Sequence, residues 1–352
     1  MISLTTFSRE SLQFRSRSEA QAAIRDACRE HDDVASVEVI GESEGGRPIL
    51  GVVLGTGGAR ASLIAGNHAD EPVGPQTLRS FIVSALDRRE KMEPWLRRYQ
   101  FVIVPHTNPD GEAANRAWID AWPDVESYLR HVVREEPGRD LEFGFPEMRP
   151  ENEAVSAFLG ERGPYDLHAS LHGMAAGEGA ALLINRPWTF RTQSLRDRFV
   201  EAARSDGLAM HDHNRKGEKG FFWIEPGFQT TPRGDAMRTY FQAQGDEQMA
   251  ARFHQSSMEY IMSLGGDPLC LVTELPLFVI EQAPEPAETA AGAHLPGRYL
   301  ALKERLPAIR KQVADGRPVE AILDDFDLSP VPLDVAVRLQ LRAIELGLQA
   351  VS

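Results

Sequence analysis

Residues 64–74 read IAGNHADEPVG, and the way this stretch folds decides how the rest of the chain is organised. The apolar run Leu63–Ala65 before it reads as a buried strand. Glu71-Pro72 and Gly74 then open a helical pattern that continues through Leu78, Phe81 and Ile82. His68 therefore falls in the loop leaving a strand, and Glu71 in the first turn of the next helix. An imidazole and a carboxylate converging there make two of the three protein ligands of a catalytic zinc, whose fourth position is left to water. The HxxE spacing alone is weak, because a capping loop with an incidental histidine produces it equally well.

The chain has 352 residues, 42% of them apolar and 26% charged, which suits one large α/β domain or one domain with an appendage. Its formal charge of −14 argues against nucleic acid as the main partner. Cys28 and Cys270 lie far apart in apolar contexts, so they are expected to be buried, unpaired thiols suited to a reducing compartment. The first 20 residues lack a basic flank followed by an apolar core, so no signal peptide is expected. No apolar run approaches the length of a membrane span. The expected location is cytoplasmic, with no membrane partner.

Strand-like and helical segments alternate. VASVEVIG and RPILGVVLG read as a hairpin around ESEGG; ASLIAG and YQFVIVPH flank a helical stretch from Val73 to about Leu96; PYDLHASLH, GAALLIN and DPLCLVTELP are further strands. Arg191–Gly207 and most of Gly234–Leu264 read as helical. The expected fold is α/β, a mixed, mostly parallel twisted sheet with helices on both faces. A Pro/Ala/Gly-rich stretch near residues 283–297 marks a boundary. The expected division is a catalytic domain over 1–282 and a C-terminal helical extension over 283–352, a possible homo-oligomer contact. HADE, NPDG, SLHG and TELP all fall at the carboxyl ends of expected strands, where function collects in open α/β sheets.

Four segments follow one another in a fixed order around this stretch: GESEGGRPIL (Gly41–Leu50) before it, then PHTNPDG (Pro105–Gly111), DLHASLHG (Asp166–Gly173) and VTELP (Val272–Pro276). With HADE, this series resembles the zinc carboxypeptidase family, the carboxypeptidase A-like metallopeptidases with their murein-peptide amidase and aspartoacylase or desuccinylase relatives. The resemblance runs from about Gly41 to about Phe278. It implies a carboxypeptidase-like fold, one Zn2+ per chain and hydrolysis of an amide or peptide bond in a small substrate. The His, His, Glu ligand set is a known property of carboxypeptidase A.

His168 and His172 compete for the third ligand position, since residues 168, 170 and 172 share one face of a strand. The resemblance favours His172, within Ser170-Leu171-His172-Gly173. With His168 as ligand the site would instead resemble the aspartoacylase branch; otherwise His168 is a core residue or a substrate contact. Glu274 ends an apolar strand, where a carboxylate is costly to bury, and reads as the general base for the attacking water. The resemblance implies that Arg116 stabilises the tetrahedral intermediate and that Asn115 beside it contacts substrate. Glu142 and Phe143 stand where the family carries the Asn-Arg pair that holds a free C-terminal carboxylate. Both are expected to line the substrate site, with Glu142 repelling an α-carboxylate or receiving a cationic group unless Arg139 or Arg149 turns in. His211 and His213, in MHDHNRKGEKG, are expected on a solvated surface loop or at the pocket rim.

Overall fold

The computed structural model describes residues 2–7, 12–283 and 293–352. Among these the strands are β1 (Ala35–Glu42), β2 (Pro48–Leu54), β3 (Ala59–Ala65), β4 (Tyr99–Val104), β5 (Leu167–Gly177), β6 (Ala181–Ile184), β7 (Trp223–Glu225), β8 (Phe228–Thr230), β9 (Leu269–Gln282) and β10 (Asp327–Pro330). The helices are α1 (Arg17–Glu30), α2 (Val73–Asp87), α3 (Arg89–Arg98), α4 (Pro109–Asp120), α5 (Val125–His131), α6 (Pro150–Gly160), α7 (Gln193–Ser205), α8 (Gly234–Ala243), α9 (Glu247–Ala250), α10 (Ser257–Ser263), α11 (Gly297–Ala314), α12 (Val319–Ile322) and α13 (Leu333–Ala350).

The sheet runs β1-β2-β4-β3-β5-β9-β6-β8-β7, with β10 beside the far end of β9. It is mixed, as expected. The centre, β4-β3-β5-β9, is parallel, while β1, β2, β6, β7 and β10 each join through an antiparallel pairing. Central strands buried on both faces read as unbroken apolar runs, which is why ASLIA and YQFVIV were legible.

Close packing sets the start of α2. Gly74 lies where a Cβ would come within 2.4 Å of the Leu171 carbonyl oxygen, so only glycine brings the helix onto β5 here. The expected single helix from Val73 to Leu96 is two, α2 and α3, joined at Arg88. Asn108 caps α4 by accepting from the Gly111 N–H at 2.8 Å, with Pro109 in the first turn. Gly234–Leu264 is likewise broken, into α8, α9 and α10.

The proposed boundary at 283–297 lies largely outside the described residues. Beyond it the chain is built into the sheet layer. β10 extends the pairing of β9, and α13 buries its apolar residues against α2, α7, β5 and β9. Gln340 of α13 reaches the site strands. Its Nε2 donates to the His172 carbonyl at 3.1 Å and to Thr273 Oγ1 at 3.2 Å, and its Oε1 accepts from Thr77 Oγ1 at 2.5 Å. Among the described residues no helix is long and apolar enough to cross a membrane.

Gln340→Leu removes these bonds and strands their buried partners, a loss of about 1–3 kcal/mol. Urea unfolding is expected to show a lowered midpoint with an unchanged slope.

Candidate metal centre

Parallel pairing of β3, β5 and β9 sets the carboxyl end of β3 beside the middle of β5 and, one strand on, of β9. Ala65 is opposite Leu171 on β5, and His172 is opposite Glu274 on β9. The loop that leaves β3 after Ala65 delivers His68 and Glu71 to the same edge. His68, Glu71 and His172 each offer one ligand atom, and these atoms all lie within 4.8 Å of one another. The two imidazoles meet edge to face at 5.0 Å between centroids. His172 Nδ1 lies 3.2 Å from Glu71 Oε2, which also accepts from the Gly173 N–H at 3.1 Å.

Around this trio the charge is mainly negative. Glu142 Oε2 lies 3.1 Å from His172 Nε2, and Asp140 Oδ2 lies 3.9 Å from His68 Nδ1. Burial alone would raise the Glu71 carboxyl, but the His68 and His172 rings hold it far below the usual range. Burial opposes a proton on His172, yet Glu142 and Glu71 together raise its affinity for one well above an ordinary imidazole. Two imidazoles held between carboxylates demand positive charge. A divalent cation supplies that charge without protonating the ligands, and two nitrogens with one oxygen suit zinc bonded at about 2.0–2.2 Å. The residues therefore fit the metal.

Glu274 keeps part of its surface in the cleft, beside His172 on the neighbouring strand. The packing around its carboxyl, and then the Glu71 charge, push it up to about 8. His168 is not with the trio. It is fully buried, with Nδ1 2.8 Å from Ser62 Oγ and Nε2 3.4 Å from Ser257 Oγ. Burial pushes it down to about 4, so it is a neutral core residue and not the substrate contact expected. The ligand set that would resemble the aspartoacylase branch is not formed.

Other expected site residues lie elsewhere. Arg116 points outward from α4, paired with Asp120 and donating to the Arg15 carbonyl at 3.0 Å. The guanidinium that reaches the metal centre is Arg134, with Nη1 at 3.1 and 3.2 Å from the two Asp70 oxygens and 3.3 Å from Glu71 Oε1. Asn115 does not face substrate. Its amide donates to the carbonyls of Ala69, Gly111 and Val133, and its oxygen accepts from the Val133 N–H and Trp118 Nε1. It thereby ties the His68–Glu71 loop to the segment carrying Arg134.

Glu142 is not a substrate group either. Besides His172 it accepts from Asn67 Nδ2 at 2.6 Å and Ser257 Oγ at 3.2 Å. It is the carboxylate behind a ligand histidine, a contact that orients the ring and raises its basicity. Phe143 packs with Phe253 and Met237 in a separate aromatic cluster. Arg149 and Arg139 do not turn in, since Arg149 bonds Glu135 and Glu151, and Arg139 bonds Glu44. The expected repulsion of an α-carboxylate by Glu142 therefore falls away. His211 is not on a solvated loop. It is buried, accepts from the Glu178 N–H at 3.2 Å and packs on Tyr299 together with His213.

Asp70 and Asp140 had a sequence signal, as acids within HADE and GRDLEF. Arg134, in HVVREEPGRD, had none, because the path from α5 back to the site is set by tertiary contacts.

Elemental analysis is expected to find about one zinc per chain, lost in His172→Ala and kept in His168→Ala. Glu142→Gln keeps the hydrogen-bond geometry but not the charge. Its zinc affinity, measured by chelator competition, is expected to fall about 10- to 100-fold.

Residues 21–130 match a family model described as zinc carboxypeptidase. A carboxypeptidase B from Astacus astacus is 27% identical over 136 residues, covering 37% of this chain and 45% of that protein, so the chain spans less than half of this curated relative. Among solved structures, the carboxypeptidase A of Helicoverpa armigera superposes with a TM-score of 0.52 at 13% identity, covering 96% of this chain and 73% of that one. A Shewanella amazonensis structure assigned to the metallopeptidases superposes with a TM-score of 0.52 at 12% identity, covering 97% and 99%. These likenesses are ones of fold. The segment that is similar to the zinc carboxypeptidase model contains His68 and Glu71, and β5 brings His172 to them.

Proposed function

We propose that this chain hydrolyses an amide bond in a small peptide-like substrate, with Glu274 as general base. One observation carries the reading: Glu274 is register partner to His172, one strand away from the donor trio, and open to the cleft. Neighbouring strands stand about 4.8 Å apart, close enough for one carboxylate to reach a water held at the trio.

His68, Glu71 and His172 would hold zinc, which when bound would lower the pKa of a water, act as Lewis acid toward the scissile carbonyl and offset the Glu71 charge that pushes Glu274 up. Glu274 takes the proton from the attacking water on a carboxylate oxygen and delivers it to the leaving nitrogen. Glu142 holds the His172 ring, while Arg134 and the Gly173 N–H hold the Glu71 carboxylate. Arg134 also takes the place expected of Arg116, as the positive charge nearest the developing oxyanion. Murein-peptide fragments and acylated amino acids remain within this substrate class. Cys28 and Cys270, buried and unpaired, suit a reducing, cytoplasmic setting.

Glu274→Gln is expected to keep its zinc and lose about 10²- to 10⁴-fold in kcat on any N-acyl dipeptide the wild type cleaves. Unchanged turnover would remove Glu274 from the mechanism.

A further inference from the structure

Residues 167–173 of β5 read LHASLHG. His168, Ser170 and His172 share one face of the strand, and all three are buried. A polar stripe through the middle of a sheet costs stability unless its groups are bonded. The neighbours on that face supply the partners. Ser62 of β3 is register partner to His168, and α10 packs on β5 with Ser257 in its first turn. Ser62 and Ser257 are fully buried and Asn67 is 1% exposed, so bulk water does not stand in for a missing partner.

These groups form one chain of hydrogen bonds from the sheet core to the metal centre. Ser62 Oγ lies 2.8 Å from His168 Nδ1, and His168 Nε2 lies 3.4 Å from Ser257 Oγ. Ser257 Oγ lies 3.2 Å from Glu142 Oε1, and Glu142 Oε2 lies 3.1 Å from His172 Nε2. The direction of donation follows from the acceptors. A carboxylate only accepts, and a hydroxyl donates to it more strongly than to a neutral ring or to the Met258 sulfur 3.1 Å away. Ser257 therefore donates to Glu142, and its oxygen is left to accept from His168 Nε2–H. His168 Nδ1 then carries no proton and accepts from the Ser62 hydroxyl. The opposite tautomer would turn the Ser62 hydroxyl to the Leu167 carbonyl, 3.5 Å away, and take from Glu142 Oε1 its donor. The other oxygen, Oε2, is served by Asn67 Nδ2 at 2.6 Å and by His172. Among the described residues Ser257 is the one donor to Oε1.

We propose that Ser257, held by His168, is a positioning residue of the metal centre: it locks the Glu142 carboxylate against His172 and so raises the affinity of His68, Glu71 and His172 for zinc. This rests on the metal centre described above and deepens it, whichever bond the protein hydrolyses. A carboxylate anchored through both oxygens does not turn about its own axis, so Oε2 stays aimed at the His172 ring. The ring is held with Nε2 on the Glu142 side and Nδ1 toward Glu71, and a ligand held in one orientation binds metal more tightly. Without the Ser257 hydroxyl, Oε1 becomes a buried acceptor with no donor, and the carboxylate gains by turning away from His172. Ser257 acts through Glu142 and carries no chemistry of its own.

The test measures zinc affinity of the full chain by chelator competition, with far-UV circular dichroism of each zinc-free protein to check its fold. Ser257→Ala is expected to bind zinc about 10-fold less tightly than wild type. Ser257→Thr returns the hydroxyl and is expected to recover most of that loss. His168→Phe keeps the volume but not the donor, and is expected to keep its one zinc at about 3-fold lower affinity, because it acts only through Ser257. Ser257→Ala combined with Glu142→Gln is expected to bind no more weakly than Glu142→Gln alone, since residues in one hydrogen-bonded chain do not add. A mere loss of packing would lower the affinity of both backgrounds by the same factor, and threonine would not restore it. Should Ser257→Ala not fold, Ser257→Gly carries the same expectation. Unchanged affinity in Ser257→Ala or His168→Phe, no recovery in Ser257→Thr, or additive losses in the double variant would overturn the proposal and leave the metal centre intact. A wild type that takes up no zinc would overturn both.

Discussion

Everything at the centre of this protein depends on the parallel register of β3, β5 and β9. Parallel strands bring their carboxyl ends to a common edge, and the loops that leave them meet there. Register decides more than proximity, because a slip of one residue turns every side chain to the opposite face. With His172 opposite Glu274, a ligand and a base stand side by side. One residue of displacement would put Thr273 or Leu275 in place of Glu274. The helix α13 guards this register from behind, since Gln340 bonds both the His172 carbonyl and Thr273.

The second organising force is charge. Glu71, Glu142, Asp140 and Glu274 crowd two imidazoles at one place on the sheet. Buried carboxylates are tolerated only when bonded or neutralised. Backbone N–H, amide and hydroxyl donors settle part of this demand, and Arg134 answers Asp70 and Glu71. The remaining demand is for a cation held by two neutral imidazoles and the Glu71 carboxylate, which is what a metal supplies. Glu142 shows how one residue changes meaning with its surroundings. A carboxylate opposite a substrate would repel an anion, whereas the same carboxylate behind His172 holds a ligand ring in place.

The metal ligands were legible because each sits within a few residues of an apolar run ending in a loop. His68 and Glu71 follow ASLIA, His172 lies on a strand whose alternation is readable, and Glu274 follows LCLV with one residue between. Such residues are placed by short-range rules, strand period and helix start, that the local sequence carries. The errors share a different cause. Arg116 and Asn115 were placed near the site because they follow NPDG closely, but a helix turns about 100° per residue and the face of α4 they occupy is set by what α4 packs against. Asn115 faces inward to carbonyls and Arg116 faces outward to Asp120.

By itself the sequence determined the order of elements, the apolar core strands and the pairing of His68 with Glu71. All of these follow from residue type and spacing within a dozen positions. Only the tertiary structure decided which histidine of the β5 pair joins the trio, because both lie on the same strand face and only one lies at the edge reached by the β3 loop. It also decided that Arg134, not Arg116, bonds Asp70 and Glu71, and that Glu142 turns to His172. Each of these side chains meets groups tens of residues away in the chain, and no local pattern records that meeting.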